Sequence, residues 1–252
     1  MPLSDASQAV IITGAAGGIG RALCSAFKKD GYFVIGTGLS MTGRAVNTDV
    51  ALDLDMNAFV SDRKVAEAFK TRVSDALEGR GLKSIINNAA VQILGSVDEL
   101  EASDLTRSFN VNVTAPFLMT KLFLEKLTAS GGNVLNIGTV HARATKKEFA
   151  AYATSKSALH GLTRALAVDL GGKVRVNTLA PAAIATDMLK AGFDGNPEGF
   201  EQLSACHPSG RIGTTDEIAN TAVFMCSDQA NFMTGTTLYV DGGILSRLHD
   251  PA

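Results

Sequence analysis

Short, continuously apolar runs alternate along the chain with longer stretches in which apolar residues recur every three or four positions. The runs read as strands buried on both faces, and the stretches as amphipathic helices. Strands are predicted at residues 9–13, 32–35, 50–52, 84–87, 133–137, 174–177 and 237–240. Helices are predicted between them at 20–30, 62–78, 105–129, 150–170 and 216–226. Such alternation implies right-handed crossovers into a parallel sheet. The expected fold class is therefore α/β, a single doubly wound Rossmann-type domain over 1–252 with a mainly seven-stranded parallel sheet flanked by helices. No linker-like composition and no internal repeat divides the chain.

Two connections break the rhythm. Residues 38–49 are close to the shortest parallel crossover, so at most a stub of helix fits there. Residues 186–211 contain Gly192, Gly195, Pro197, Pro208 and Gly210 and are expected to be irregular. Long irregular segments in compact domains tend to be lids or binding loops, so a substrate flap is expected here.

Composition narrows the partners. With 46% hydrophobic and 19% charged residues, the chain has ample material for a core. Its net charge of -2, with no long run of one sign, lacks the basic face that nucleic acid requires. The three cysteines, Cys24, Cys206 and Cys226, are widely spaced and form no Cys-x-x-Cys pair. Neither a disulfide framework nor a metal site is expected, and His207 beside Cys206 has no second ligand at metal spacing. Residues 1–8 do not read as a secretory signal, and no uncharged apolar run is long enough for a bilayer. A cytoplasmic protein with no membrane or nucleic-acid partner is expected.

The first predicted strand leads into Thr13-Gly14-Ala15-Ala16-Gly17-Gly18-Ile19-Gly20. Glycines at 14, 18 and 20 permit a tight turn and a close approach of main-chain N–H groups to a pyrophosphate at a helix N-terminus. The spacing is Gly-x-x-x-Gly-x-Gly, not the Gly-x-Gly-x-x-Gly of the standard fingerprint. An acid normally follows to bond the ribose of NAD, yet no Asp or Glu lies between Asp30 and Asp49. Its absence removes repulsion against a 2′-phosphate, and Ser40 and Arg44 are candidates to bond one. The expectation leans to NADP over NAD.

The strongest local signal is Tyr152-Ala153-Thr154-Ser155-Lys156. Tyr and Lys at i and i+4 share a helix face, where the ammonium should lower the phenol pKa towards the range of a general acid/base. Thr139, just past a predicted strand, offers a hydroxyl to hold a substrate oxygen. Asn112 lies inside a predicted helix, an intrinsically poor place for it, and its amide is a candidate to order a proton-carrying water. His141 and Gln92 fall at the expected pocket rim as candidate substrate contacts. His160 reads as a surface or interface residue, and Lys146 and Lys147 as a solvated loop.

Taken in order, these motifs resemble the short-chain dehydrogenase/reductase family over nearly the whole chain. The family's glycine motif matches Gly14, Gly18 and Gly20, its Asp–hydrophobic pair Asp53-Leu54, and its Asn-Asn-Ala-Gly Asn87-Asn88-Ala89-Ala90. Its catalytic Asn, Ser, Tyr and Lys fall on Asn112, Thr139, Tyr152 and Lys156. Arg175-Val176-Asn177, the segment from Pro181 to Thr186, Thr234-Gly235 and Val240-Asp241-Gly242-Gly243 resemble its later motifs. Three positions depart: Ala90 and Ala182 replace glycines, and Thr139 replaces serine, adding a methyl and a stiffer rotamer.

The resemblance implies an NAD(P)-dependent oxidoreductase that interconverts a secondary alcohol and a small or medium ketone by hydride transfer. Tyr152 would be the general acid/base, Lys156 would bond the nicotinamide ribose, Thr139 would position the carbonyl, and Asn112 would link Lys156 to solvent. Gly14, Gly18, Ile19, Gly20, Asp53, Leu54, Asn88, Ala89, Pro181, Ile184 and Thr186 would hold the dinucleotide together with Tyr152 and Lys156. Homo-oligomers, dimer or tetramer, are implied as well, paired through wide apolar helix faces. Two other readings stand beside this one. A 3-oxoacyl thioester reductase would favour basic residues near the pocket mouth, and a nucleotide-sensing regulator on the same fold would be free to lose Tyr152 or Lys156.

Overall fold

The computed structural model describes residues 8–41 and 43–248. Seven strands, β1 (Gln8–Thr13), β2 (Phe33–Gly38), β3 (Val50–Asp53), β4 (Gly81–Asn87), β5 (Asn133–Ile137), β6 (Arg175–Pro181) and β7 (Thr237–Val240), form one sheet. All pairs are parallel, in the order β3-β2-β1-β4-β5-β6-β7. The order reverses between β1 and β4, and ligands bind open α/β sheets at the carboxyl ends of the strands at such a switch point.

Ten α-helices connect the strands: α1 (Gly18–Lys29), α2 (Met56–Ser61), α3 (Arg63–Leu77), α4 (Ala102–Phe109), α5 (Ala115–Leu122), α6 (Leu124–Ala129), α7 (Ala150–Leu170), α8 (Asp187–Ala191), α9 (Pro197–Ala205) and α10 (Thr215–Cys226). Strand side chains alternate between two cores, as the period of two requires. Ile11, Ile35, Ile85, Val134 and Val176 pack with Phe69, Val73, Met119 and Leu166 on one face. Val10, Ile12, Val34, Ile86, Leu135 and Leu179 pack with Leu23, Phe27, Ile218 and Met225 on the other. None of the described helices is long and apolar enough to cross a membrane.

Three sequence expectations need correction. The helix expected at 105–129 is interrupted: α4 runs into a π-helical turn at Asn110–Thr114, and Phe123 separates α5 from α6. Pro116 explains part of this, because it lacks the N–H that an α-helix would give to the Asn112 carbonyl. The flap region is not irregular, since α8 and α9 lie within it, with Pro197 at the first turn of α9, where a proline N–H would have no helical acceptor in any case. An extra helix, α2, is capped by the Asp55 carboxylate, which accepts from the N–H groups of Asn57 and Ala58. The short crossover between β2 and β3 is as expected, without a helix in its described residues.

Candidate active site

The turn after β1 is built for close approach. Gly14 has φ +64, and a Cβ there would lie 2.9 Å from Ala89 Cα. A Cβ on Gly18 would meet Thr186 Cγ2 at 2.8 Å, and one on Gly20 would run into the Gly14 carbonyl. α1 starts at Gly18 with no side-chain cap and no acid in its first turn. The N–H groups of Gly18, Ile19 and Gly20 meet no main-chain acceptor among the described residues, so they are left to an anion. Asn88 locks the cradle: its Nδ2 donates to the Thr13 and Gly14 carbonyls at 2.9 and 3.1 Å. Thr13 Oγ1 accepts from the N–H groups of Asn88 and Ala89. A cavity of about 270 Å³ opens beside Gly18, between Arg21 and Thr186. Gly20→Ala is expected to cost about 1–3 kcal/mol of stability and to weaken dinucleotide binding, both readable from thermal melts with and without cofactor.

The other sequence candidates flank this turn. Ile184 forms an isolated parallel bridge with Gly213 whose hydrogen bonds use the Ala183 carbonyl and the Ala185 N–H. The Ile184 N–H takes no part in that bridge. Pro181 ends β6, and Thr186 Oγ1 accepts from the Leu189 N–H as α8 begins. Asp53 pairs laterally with Gly38, and its carboxylate accepts from the Met41 N–H at 2.5 Å, while Leu54 beside it is buried. Ser40, with φ +51, and Arg44 lie exposed on the same connection. Neither Ala90 nor Ala182 has a positive φ, so the methyl groups that replace the family's glycines bring no backbone strain.

Across the switch point lie the reacting-centre candidates. The Thr139 hydroxyl, just past β5, lies beside the Tyr152 phenol and accepts from the His141 N–H at 3.3 Å. Lys156 is 2% exposed; its Nζ donates to the Ile137 carbonyl at 2.8 Å and lies 5.9 Å from the centre of the Tyr152 ring. Ring and amine therefore share one environment. Burial pushes the Tyr152 phenol up to about 12, against the smaller opposing effect of the Thr139 hydrogen bond. Burial also pulls the Lys156 ammonium down to about 8. The lowered phenol expected from the sequence is thus not what the chain alone produces, because desolvation outweighs the Thr139 effect.

Asn112 sits in the π turn, 1% exposed. Its Oδ1 accepts from the Val91 N–H, and its Nδ2 donates to the Val91 carbonyl and to Ser155 Oγ, each at 2.9 Å. Ser155 in turn donates to the Tyr152 carbonyl. The amide expected to order a water is committed to the protein, holding the 91–92 segment against α7. Sequence reading passed over Ser155, although its place inside the Tyr–Lys motif is a signal.

His141 lies at the rim, stacked on Phe149 with ring centres 4.5 Å apart and edge-on to Tyr152 at 6.3 Å. Its Nδ1 meets Thr145 Oγ1 at 3.2 Å, and burial and Lys146 lower its pKa. Gln92 is exposed, next to Val91, which Asn112 holds. His160 is not a surface residue: it is 5% exposed, its pKa is pushed down to about 4, chiefly by burial, and a Cβ on Gly138 would run into its ring. No group of three or more His, Cys, Asp or Glu among the described residues converges as a metal site.

Comparison with known proteins agrees with this layout. A family model described as enoyl-(acyl carrier protein) reductase, of the short-chain alcohol dehydrogenase type, matches residues 14–245. The chain is 32% identical to trans-4-hydroxycyclohexanecarboxylate dehydrogenase of Sinomonas cyclohexanicum, over 94% of this chain and 93% of that protein. It is 32% identical to D-threitol dehydrogenase of Mycolicibacterium smegmatis, over 94% and 92%. The ligand-free aldohexose dehydrogenase of Thermoplasma acidophilum superposes with a TM-score of 0.89 at 28% identity, over 99% of this chain and 98% of that one. A parallel seven-stranded sheet, a glycine cradle at its switch point and full-length relatives leave one assignment: the chain belongs to the short-chain dehydrogenase/reductase family of oxidoreductases.

Proposed function

We propose that this enzyme interconverts a secondary alcohol and a ketone with NAD(P), using Tyr152 as the proton donor and acceptor. The observation that carries the reading is Tyr152 with Thr139 beside its phenol and the buried Lys156 ammonium 5.9 Å from its ring, across the switch point from the glycine cradle. The cradle fits a dinucleotide, since its N–H groups lack main-chain acceptors and its glycines leave no room for a Cβ. Gly14, Gly18, Ile19 and Gly20 would hold the pyrophosphate, Asp53 and Leu54 the adenine end, and Asn88, Ala89, Pro181, Ile184 and Thr186 the remainder. When bound, the dinucleotide supplies or accepts the hydride.

Thr139 would hold the substrate oxygen beside Tyr152, and Tyr152 would pass its hydroxyl proton to that oxygen. A phenol held near 12 stays protonated at neutral pH, the form that can donate to a ketone oxygen. Lys156 would donate to a ribose hydroxyl. With the Asn112 amide committed, its main-chain carbonyl, which Pro116 cannot serve, is the group left to carry a water towards Lys156. The choice between NAD and NADP sets Arg44 and the acid-free end of β2 against the Asp53 carboxylate beside the Met41 N–H. Exposed Leu105, Phe117 and Val168 on α4, α5 and α7 support self-association through those helices.

Assaying oxidation of NADH and NADPH in parallel, across ketones, ketoses and 3-oxoacyl thioesters, tests the reading. Turnover of a ketone is expected. Dinucleotide binding with no turnover on any member would instead favour a nucleotide sensor.

A further inference from the structure

The loop from Thr139 to Phe149 carries three cations within five residues, Arg143, Lys146 and Lys147, in a chain whose net charge is -2. None of the three enters an ion pair among the described residues, and Glu148, the next residue, does not neutralise them by pairing. Lys146 is not simply splayed into solvent. Its Nζ lies 4.7 Å from the centre of the Phe149 ring, which stacks on His141 and meets the Tyr152 ring edge-on at 6.1 Å. The ammonium is therefore one aromatic ring away from the phenol, and close enough to His141 to hold down that ring's pKa.

The adjoining lip has the opposite character. The Gly95 N–H donates to the Glu148 carbonyl at 3.0 Å and draws the 94–97 segment alongside the loop. Leu94 and Val97 on that segment are 51% and 87% exposed. The loop cations beside exposed Leu94 and Val97 match a ligand with an apolar frame and a negative end.

Building on the proposed ketone chemistry, we infer that the substrate is an oxo or hydroxy compound bearing an oxyanion on an apolar frame, with Lys146 as its counter-ion. A lone cation one ring from the proton donor suits an acid group attached a few bonds from the reacting carbon.

The test compares oxo acids, the matching sulfonates and the neutral methyl esters, in wild type and in Lys146→Met and Lys146→Glu. In wild type kcat/KM should favour the anions over the esters by about fivefold, as for a partly exposed charge pair, and added salt should shrink the preference. Lys146→Met should bring the ratio close to one with ester turnover unchanged, and Lys146→Glu should invert it. Carboxylate and sulfonate arms tell which oxyanion is preferred. Calorimetry with a saturated carboxylate that lacks the keto group reads the anion site without turnover, so a total loss of ketone activity would sink the oxidoreductase reading while still deciding this one. Equal use of acids and esters by wild type would overturn the inference. So would a ratio unmoved by Lys146→Met, or turnover confined to carrier-linked thioesters.

Discussion

Tyr152→Phe is expected to lower kcat by about 10²–10⁴, the span of a lost general acid/base, while dinucleotide affinity stays within about twofold of wild type by the same reasoning. The substitution removes one oxygen and keeps the ring, so the edge-on contacts with Phe149 and His141 persist. Thr139 Oγ1 keeps its bond from the His141 N–H. Nothing in the glycine cradle touches the lost atom. Pre-steady-state mixing with a ketone and titration with reduced dinucleotide separate the two effects. A variant turning over within tenfold of wild type would remove Tyr152 from the reacting centre.

How much of this was legible in the sequence depends on the range of the forces involved. The strands at β1, β4 and β5 announce themselves through short apolar runs, Ala9 to Ile12, Ile85-Ile86 and Val134-Leu135, as burial on both faces favours. Tyr152 and Lys156 are legible as a pair because the helical period puts i and i+4 on one face. That period says nothing about what the face meets. His160, another turn along, was read as a surface or interface residue because Gly138, which makes room for its ring, lies far off in the sequence, just past β5. The break at Asn110–Thr114 was missed although its cause is local: two asparagines followed by Pro116. The helices of the flap were missed because glycines and prolines were counted as breakers, whereas Pro197 starts a helix.

The phenol's acidity was misjudged for a different reason. Motif spacing reports which charges are near but not how much water is lost, and here desolvation is the larger effect on both partners. The same imbalance shapes the loop at 143–147. Sequence alone reads Lys146 and Lys147 as solvated, and only the contact of Lys146 with Phe149 turns one of them towards the site.

Desolvation of Lys156 also yields the second large prediction, for Lys156→Met. Activity should fall about 10²-fold or more, since the variant lacks the cation beside the proton donor. Stability should respond in the opposite sense. A lysine pKa lowered from 10.5 to about 8 in the fold means that, between those values, the unfolded chain binds a proton that the folded chain does not. Stability then rises with pH across that window, and the full burial penalty is present below pH 8. The difference corresponds to roughly 3 kcal/mol, and the methionine variant carries none of it. Urea unfolding at pH 7, 9 and 10.5 should show wild type gaining on the variant as pH rises. Groups remote from Lys156 cancel in that difference. Parallel pH profiles would mean that the ammonium is hydrated, and that the bond from Nζ to the Ile137 carbonyl does not seal it from water.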